Sequence, residues 1–172
     1  MQEALDLAAQ AAREDEVPVG AVIVSRGRVV GRGRNRREQG KDATLHAELC
    51  AVREACATLG GWRIPEATIY VTLEPCPMCA GVLVNARVQR LVYAAPDPKA
   101  GAAGTVMNIA DHPALNHRLT VESGLLAEES AALLRDFFGE KRARQQAEKR
   151  AQQAAAADSA PPEAPFPEAI SE

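Results

Sequence analysis

The 172-residue sequence has few aromatic side chains, no long apolar run and no strong charge of one sign. Aromatics make up 3% of the residues, which excludes a protein that binds its ligand on a dense aromatic stacking platform. No run of about 18 apolar residues occurs, so the sequence predicts no membrane-spanning helix. The first residues lack the charged, apolar and small-residue regions of a secretory signal, and we expect a cytoplasmic protein.

The net charge of −3 argues at first against a nucleic-acid partner, but this charge is unevenly distributed. Residues 151–172 hold four acids, no base, eight alanines and four prolines. From Asp158 onward this composition cannot bury enough apolar surface to offset the entropy lost on ordering. We therefore predict one folded domain over residues 1–150 and a disordered Ala/Pro/Glu-rich tail over 151–172, whose proline-free front suits a helix.

Two basic clusters remain when the tail is set aside. Residues 26–41 hold seven Arg or Lys side chains and one acid, and residues 141–150 hold five and one. Such clusters suit the phosphates of a nucleic acid, although charge runs are also typical of solvated surfaces. Divided by segment, the charge is compatible with an RNA partner.

The apolar pattern predicts strands and helices in alternation. The predicted helices are 2–14, 45–59, 76–86 and 127–138, the last continuing past Gly139. The predicted strands are 17–24, one around Val29 and Val30, 68–73, 90–94 and a short one at 119–121. The first two strands suit a hairpin, and the later strand–helix–strand unit suits a right-handed parallel crossover. This order predicts an α/β fold with one sheet sandwiched by helices.

Three side chains that can bind a metal lie at predicted helix starts. His46 opens one helix, and Cys76 and Cys79 share a face of another because they are three residues apart. A helix N-terminus favours the thiolate form of cysteine. Two thiolates and one imidazole give zinc three protein ligands and leave the fourth position to water, which is the catalytic pattern.

Glu48 lies two residues after His46, so the two side chains do not share a helix face. A carboxylate beside a zinc-bound water can take its proton and pass it to a leaving nitrogen. We therefore interpret Glu48 as a proton shuttle. One alternative stays open: Cys50, four residues after His46, would complete a closed structural site with three cysteines.

The pattern H-x-E followed by P-C-x-x-C resembles the signature of the zinc nucleoside and nucleobase deaminases. Over about residues 1–145 the chain also resembles the bacterial tRNA-specific adenosine deaminases of the cytidine deaminase superfamily. The segments that carry this resemblance are 15–22, 35–36, 71–76, 101–104, 116–118 and 133–138.

The resemblance implies a three-layer α/β/α cytidine-deaminase-like fold, with a central mixed sheet of about five strands, in a homodimer. It implies hydrolysis of adenosine to inosine at the wobble position of a tRNA anticodon, usually that of an arginine tRNA. One Zn²⁺ per subunit would be held by His46, Cys76 and Cys79. Zinc-activated water would attack C6 of adenine, with Glu48 as the catalytic proton shuttle.

The resemblance also assigns residues to the flipped base. Asn35 matches a residue that hydrogen-bonds the base, and Val17 and Leu73 match walls of its pocket. Asn is also common in turns, which is the plain alternative for Asn35. Two departures from the family pattern, Leu45 and Arg34, bear on pocket volume and RNA contacts and leave the reaction type unchanged.

Five further residues are assigned to the tRNA anticodon loop by the same resemblance. Asp97, Lys99 and Gly104 lie in a loop similar to one that shapes the anticodon contact. His112 and Asn116 lie in the following segment, which is near the RNA in the family. Pro96 stands where an arginine often precedes the loop aspartate, which removes one possible phosphate contact.

Two other functions stay open from the sequence. A deaminase of a free nucleobase or nucleoside, such as guanine or cytosine, would share the metal motif but needs no basic surface. A non-enzymatic RNA-binding module with structural zinc would need Cys50 as a fourth ligand.

Overall fold

The computed structural model describes residues 1–158, with side-chain burial given for 1–153. Its strands are β1 (Gly20–Ser25), β2 (Arg28–Arg34), β3 (Ala67–Leu73), β4 (Arg90–Ala95) and β5 (Thr120–Ser123). Its helices are α1 (Gln2–Arg13), α2 (Arg37–Gly40), α3 (Ala47–Leu59), α4 (Pro77–Asn85) and α5 (Ala127–Asp158). None of the helices in this part of the chain is long and apolar enough to cross a membrane.

The five strands form one mixed sheet in the order β2-β1-β3-β4-β5. Strand β1 pairs antiparallel with both β2 and β3, whereas β3, β4 and β5 are parallel to one another. The structure thus confirms the predicted α/β fold, the early hairpin and the parallel crossover through α4.

Helices α1 and α3 cover opposite faces of the sheet, and glycines permit their close approach. A Cβ on Gly20 would overlap the carbonyl oxygen of Ala4 in α1. A Cβ on Gly33 would overlap the carbonyl oxygen of Ala47 in α3. Gly33 pairs with Ala21, so these two positions are on the same face of the sheet. Gly20 precedes Ala21 in β1 and is therefore on the opposite face.

The main core lies between the sheet and the helices α3 and α4. Its strand side is apolar and fully buried at Ala21, Ile23, Ile69, Val71 and Leu91. Its helix side is supplied by Ala47, Ala51, Ala55, Leu83 and Val84. Each large side chain buried here stabilises the fold by about 1.5–3 kcal/mol, and this packing sets how the starts of α3 and α4 lie.

Residues Met1–Phe137 form one compact unit, and a second unit begins at Phe138 within α5. Helix α5 reaches Asp158, so it includes the proline-free front of the predicted tail. The part of the tail beyond Asp158 lies outside the described residues. The predicted domain boundary at residue 150 stays a prediction.

Apart from shifts of one or two residues at element ends, the predicted elements were wrong at two places. Strand β1 begins at Gly20 and not at Val17, because Pro18 has no N–H to donate and Val19 N bonds locally to Val17 O at 2.8 Å. The short helix α2 lies in a segment predicted as a basic loop. Four residues are too few to show an apolar periodicity.

Candidate active site

His46 and Cys76 each precede a helix directly. Both have extended backbones at the N-cap positions of α3 and α4, and Pro77 occupies the first turn of α4. Cys79 is the third residue of α4 and is fully buried. Because α3 and α4 contact each other on one face of the sheet, their N-terminal ends bring these three side chains together.

The three predicted metal ligands form a compact group. His46 Nδ1 lies 3.4 Å from Cys79 Sγ and 3.7 Å from Cys76 Sγ. All the ligand atoms lie within 4.8 Å of one another. Tetrahedral zinc would separate an imidazole nitrogen from a thiolate sulfur by about 3.6 Å, so the group has the size for a metal ion. Sulfur and imidazole donors also have the chemistry that zinc prefers.

The thiol of Cys76 is the acidic member of this group. Hydrogen bonds from Cys79 and from His46 lower the pKa of Cys76 to about 4. The hydrogen bond that His46 makes to Cys76 raises the pKa of His46. The hydrogen bond that Cys79 makes to Cys76 likewise raises the pKa of Cys79. The group therefore favours a thiolate at Cys76 at neutral pH, which prepares it to bind a cation.

Glu48 lies in the first turn of α3 and is 4% exposed. Burial raises the pKa of Glu48, and hydrogen bonds from its own backbone N–H and from the Cys79 thiol only partly oppose this. Its carboxylate is outside the group of ligand atoms but interacts with Cys79 within it. The role of Glu48 as a proton shuttle stays a prediction.

Cys50 does not join the metal group. Among the described residues, His46, Cys76 and Cys79 form the one cluster of three that could hold a metal ion. Burial raises the pKa of the Cys50 thiol, and its Cβ faces Gly33. The closed site with three cysteines therefore finds no support.

Glu16 organises the predicted base-binding residues, and sequence reasoning assigned it no role. The fully buried Glu16 accepts a hydrogen bond from Asn35 Nδ2 at 3.1 Å and another from Gln39 N at 2.9 Å. Asn35 is itself 5% exposed, so it is not a surface turn residue. Val17 follows Glu16 in the chain and is half-buried. The available signal was a carboxylate directly before an apolar run.

The loop after β4 is joined to the segment that carries Cys76. Leu73 ends β3, and the next residue, Glu74, is buried and accepts hydrogen bonds from Asp97 N at 3.1 Å and Ala103 N at 2.9 Å. Asp97 also accepts from Lys99 N at 2.9 Å, as a turn aspartate does. Lys99 and Gly104 are exposed. Sequence reasoning gave Glu74 no role either.

Of the two predicted RNA contacts His112 and Asn116, Asn116 lies apart from the metal group. Both are exposed, and Asn116 Oδ1 accepts a hydrogen bond of 2.7 Å from Arg87. Arg87 follows the C-terminal end of α4, whereas Cys76 precedes its N-terminal end. Nine helical residues span about 14 Å, so the structure does not bring Asn116 to the metal group.

The basic cluster 26–41 is not one surface. Arg26 and Arg28 line a cavity of about 700 Å³ at the turn between β1 and β2. Arg34 makes two hydrogen bonds of 2.9 Å to the Glu14 carboxylate. Arg36 and Arg37 are exposed and form no ion pair with the described residues. The charge of Arg37 acts on His46, so this end of the cluster is near the metal group.

The geometry defines a class of protein. A buried glutamate beside an imidazole and two cysteines, at two helix starts on a mixed five-stranded sheet, is the arrangement of the zinc deaminases of nucleosides and nucleobases. The profile of the MafB19-like deaminase family matches residues 1–144.

Three comparisons narrow that class. A tRNA-specific adenosine deaminase of Bacillus subtilis (strain 168) is 46% identical over 147 residues, which are 86% of this chain and 91% of that one. A structure from a study of A-to-I editing by tRNA:A34 deaminases is 47% identical with a TM-score of 0.75, covering 78% of this chain and 97% of that chain. A guanine deaminase from Nitrosomonas europaea is 27% identical with a TM-score of 0.66, covering 79% and 81%. The chain belongs to the tRNA-specific adenosine deaminase family.

Proposed function

We propose that this protein converts adenosine to inosine at the wobble position of a tRNA anticodon, and that an arginine tRNA is its substrate. The observation that carries the proposal is the buried Glu48 beside His46, Cys76 and Cys79, in a chain that is 46% identical over 147 residues to a tRNA-specific adenosine deaminase. Identity to the guanine deaminase is lower, at 27%, which favours an RNA substrate over a free base.

We further infer that the metal is zinc, with one ion per subunit held by His46 Nδ1, Cys76 Sγ and Cys79 Sγ. When bound, zinc supplies a Lewis acid that brings the pKa of a water molecule toward neutrality. Three protein ligands leave room for that water, and Cys50 is not placed to close the site.

Glu48 moves the protons of the reaction. Hydrolysis adds the oxygen of water to C6 of adenine, and Glu48 takes the proton and delivers it to the ring nitrogen. Glu48 then takes the remaining proton from the new C6 hydroxyl and gives it to the departing amino group, and ammonia leaves with inosine as the product. Burial raises the pKa of Glu48, which suits a carboxyl that must hold a proton between the two transfers.

Asn35 and the walls of the pocket hold the base. The adenosine must leave its stack to enter the site, at a cost of a few kcal/mol that is lowest in a single-stranded loop. The hydrogen bond from Asn35 to Glu16 fixes the orientation of the Asn35 amide, which would then contact the base. Val17 and Leu73 are both half-buried, which suits apolar walls against a base.

The remaining contacts are to the anticodon loop. Asp97, Lys99 and Gly104 form one RNA-facing loop, and His112 and Asn116 form a more distant contact. A homodimer in the cytoplasm is the assembly that the resemblance implies. Val106, Met107 and Leu115 are exposed apolar side chains that a dimer interface could bury.

The decisive experiment is incubation of the protein with total tRNA, followed by sequencing for adenosine-to-inosine change. Free adenosine, guanine and cytosine are tested in parallel. Inosine at the wobble position of an arginine tRNA supports the proposal. Product from a free base alone would establish a free-base deaminase, and zinc binding without any product would establish a structural module.

The structure also selects which arginines to test for phosphate contacts. We expect Arg36→Glu with Arg37→Glu to weaken tRNA binding and to reduce the dependence of log Kd on log salt by about two units. Arg32→Glu is the matched control, because Arg32 already forms an ion pair of 2.5 Å with Glu3. Equal salt dependence in all variants would make Arg36 and Arg37 an ordinary solvated surface.

A further inference from the structure

Glu74 is a buried carboxylate that the reaction does not use. It lies between the end of β3 and Pro75-Cys76 and is 2% exposed. Among the described residues it forms no ion pair. A buried charge without a counter-charge is costly unless hydrogen-bond donors surround it.

The donors to Glu74 all come from one loop. Oε1 accepts from Ala103 N at 2.9 Å and from Thr105 N at 3.1 Å, and Oε2 accepts from Asp97 N at 3.1 Å. The Thr105 side chain adds a further hydrogen bond. Backbone amides that converge on one anion form an anion-binding concavity, here filled by a side chain of the protein itself.

Gly101 closes this arrangement from the other side. A Cβ at Gly101 would overlap the Glu74 carboxylate, and it would also lie 2.6 Å from the Asp97 carbonyl oxygen. Its φ is not in the left-handed region, so a side chain is excluded by space alone. Any larger residue there must displace the carboxylate or the loop.

The same loop is tied to the metal segment through the backbone. Ala102 N donates to Pro75 O at 2.9 Å, and Pro75 directly precedes Cys76. Glu74 N donates to Ala95 O at the end of β4 at 2.8 Å. The loop 97–105 and the metal ligand Cys76 therefore share one rigid attachment.

We propose that Glu74 is a positioning residue that sets the loop 97–105 for contact with RNA, relative to the metal site. The proposal rests on the proposed function, because Asp97, Lys99 and Gly104 are the RNA-facing residues of this loop. Glu74 touches neither the base nor the metal. It acts through the amides that it holds.

The test compares Glu74→Gln and Gly101→Ala in the full-length, zinc-loaded protein. A glutamine presents an NH₂ group to amides that need an acceptor, and an alanine displaces the carboxylate. In both variants we expect the amides of Asp97, Ala103 and Thr105 to exchange hydrogen at least about tenfold faster, since each loses a charge-assisted hydrogen bond. Thr105→Val serves as a third variant should the other two not fold. It removes one side-chain donor at an exposed position, so we expect a smaller increase in the exchange rates.

Kinetics with an anticodon stem-loop RNA separate positioning from a merely structural role. We expect KM to rise about tenfold, equivalent to about 1.4 kcal/mol, with a smaller change in kcat and unchanged zinc content. The controls are Glu54→Gln, an exposed glutamate, and Gly61→Ala, a loop glycine with open space around it. Both should match the parent protein.

Two results would overturn the proposal. One is unchanged hydrogen exchange of the three amides in Glu74→Gln. The other is loss of zinc or of kcat at unchanged KM, which would place Glu74 in the metal site. If the unaltered protein does not convert tRNA, the proposed function fails, whereas the exchange measurement still decides whether Glu74 holds the loop.

Discussion

The surroundings of Glu48 and of Glu74 differ, although both glutamates are buried near the same metal group. Glu48 is 4% exposed and Glu74 is 2% exposed. Burial raises the pKa of Glu48. Burial also acts on Glu74, but hydrogen bonds from Thr105, Asp97 and Ala103 outweigh it and lower the pKa of Glu74. Glu74 has three backbone donors from another segment, whereas the backbone donor to Glu48 is its own N–H.

The difference teaches how one residue type serves two purposes in one site. A carboxylate with few donors exchanges a proton readily and suits acid–base chemistry. A carboxylate saturated with donors stays ionised and fixes the chain around it.

The largest expected effect is on activity. Glu48→Gln removes the proton shuttle and should lower kcat by about 10²- to 10⁴-fold while zinc content and fold are retained. Inosine formation, metal analysis and circular dichroism measure the three quantities. Loss of zinc from Glu48→Gln would mean that Glu48 is a metal ligand. That result would contradict the comparison between a proton-carrying Glu48 and a fixed Glu74 carboxylate.

The second effect is on the stability of the metal-free protein, and the two glutamates should differ in sign. Glu74→Gln loses charge-assisted hydrogen bonds and should lower the free energy of unfolding by about 1.5–3 kcal/mol. Glu48→Gln removes a poorly solvated charge and should raise it by about 1 kcal/mol, as relief of a functional site does. Denaturant unfolding at pH 7 measures both, and a change of the same sign in the two variants contradicts the comparison.

The third effect concerns the thiolate near Glu48. The charge of Cys76 contributes to the raised pKa of Glu48, and nothing comparable acts on Glu74. The pKa of Cys76 is about 4, whereas burial raises the pKa of Cys50 and of Cys56. At pH 6 in metal-free protein, iodoacetamide should modify Cys76 about three to ten times faster than those two, because thiolate fraction outweighs lower nucleophilicity. Peptide mass mapping measures the rates. Equal rates at the three cysteines would show that Cys76 is not a thiolate at this pH.

The smallest effect is on the pH dependence of stability. The pKa of Glu74 is lowered on folding, so its contribution is complete above the unfolded value of about 4.3 and is lost as pH falls through the folded pKa. The pKa of Glu48 is raised, so the stability of the parent protein relative to Glu48→Gln should fall as pH rises above about 4.3. Unfolding of metal-free protein from pH 3 to 7 should give opposite slopes for the two differences. Parallel slopes would show that the two carboxyls have similar surroundings.

Much of the fold could be predicted from local patterns. The strands were predictable because short apolar and β-branched runs are bounded by turn residues. Helix α3 was predictable from its apolar periodicity, and the structure shows Gly60 in a left-handed conformation at its end. The start of β1 was wrong because an apolar run does not reveal where Pro18 stops pairing. Helix α2 was missed because its four residues carry no period.

The candidate site was predictable where chemistry depends on spacing along the chain. His46, Cys76 and Cys79 were predictable because each lies at a helix start, and the structure places their ligand atoms within 4.8 Å. The basic cluster was less predictable, since the acids that pair with Arg32 and Arg34 come from α1 and its end. Glu16 and Glu74 were unpredictable because their donors lie 19 to 31 residues away.

The sequence by itself determined the class of chemistry, because metal ligands and a proton shuttle are recognised by residue type and short spacing. It also determined the early hairpin and the parallel crossover, because the pairing of neighbouring strands follows the apolar pattern and the length of the connection. Only the tertiary structure decided that Cys50 stays outside the metal group and that Arg34 is bound to Glu14. It alone decided that Glu74 holds the loop 97–105. Burial and hydrogen-bond partners arise from segments distant in the chain, and these set whether a carboxylate carries a proton or a fixed charge.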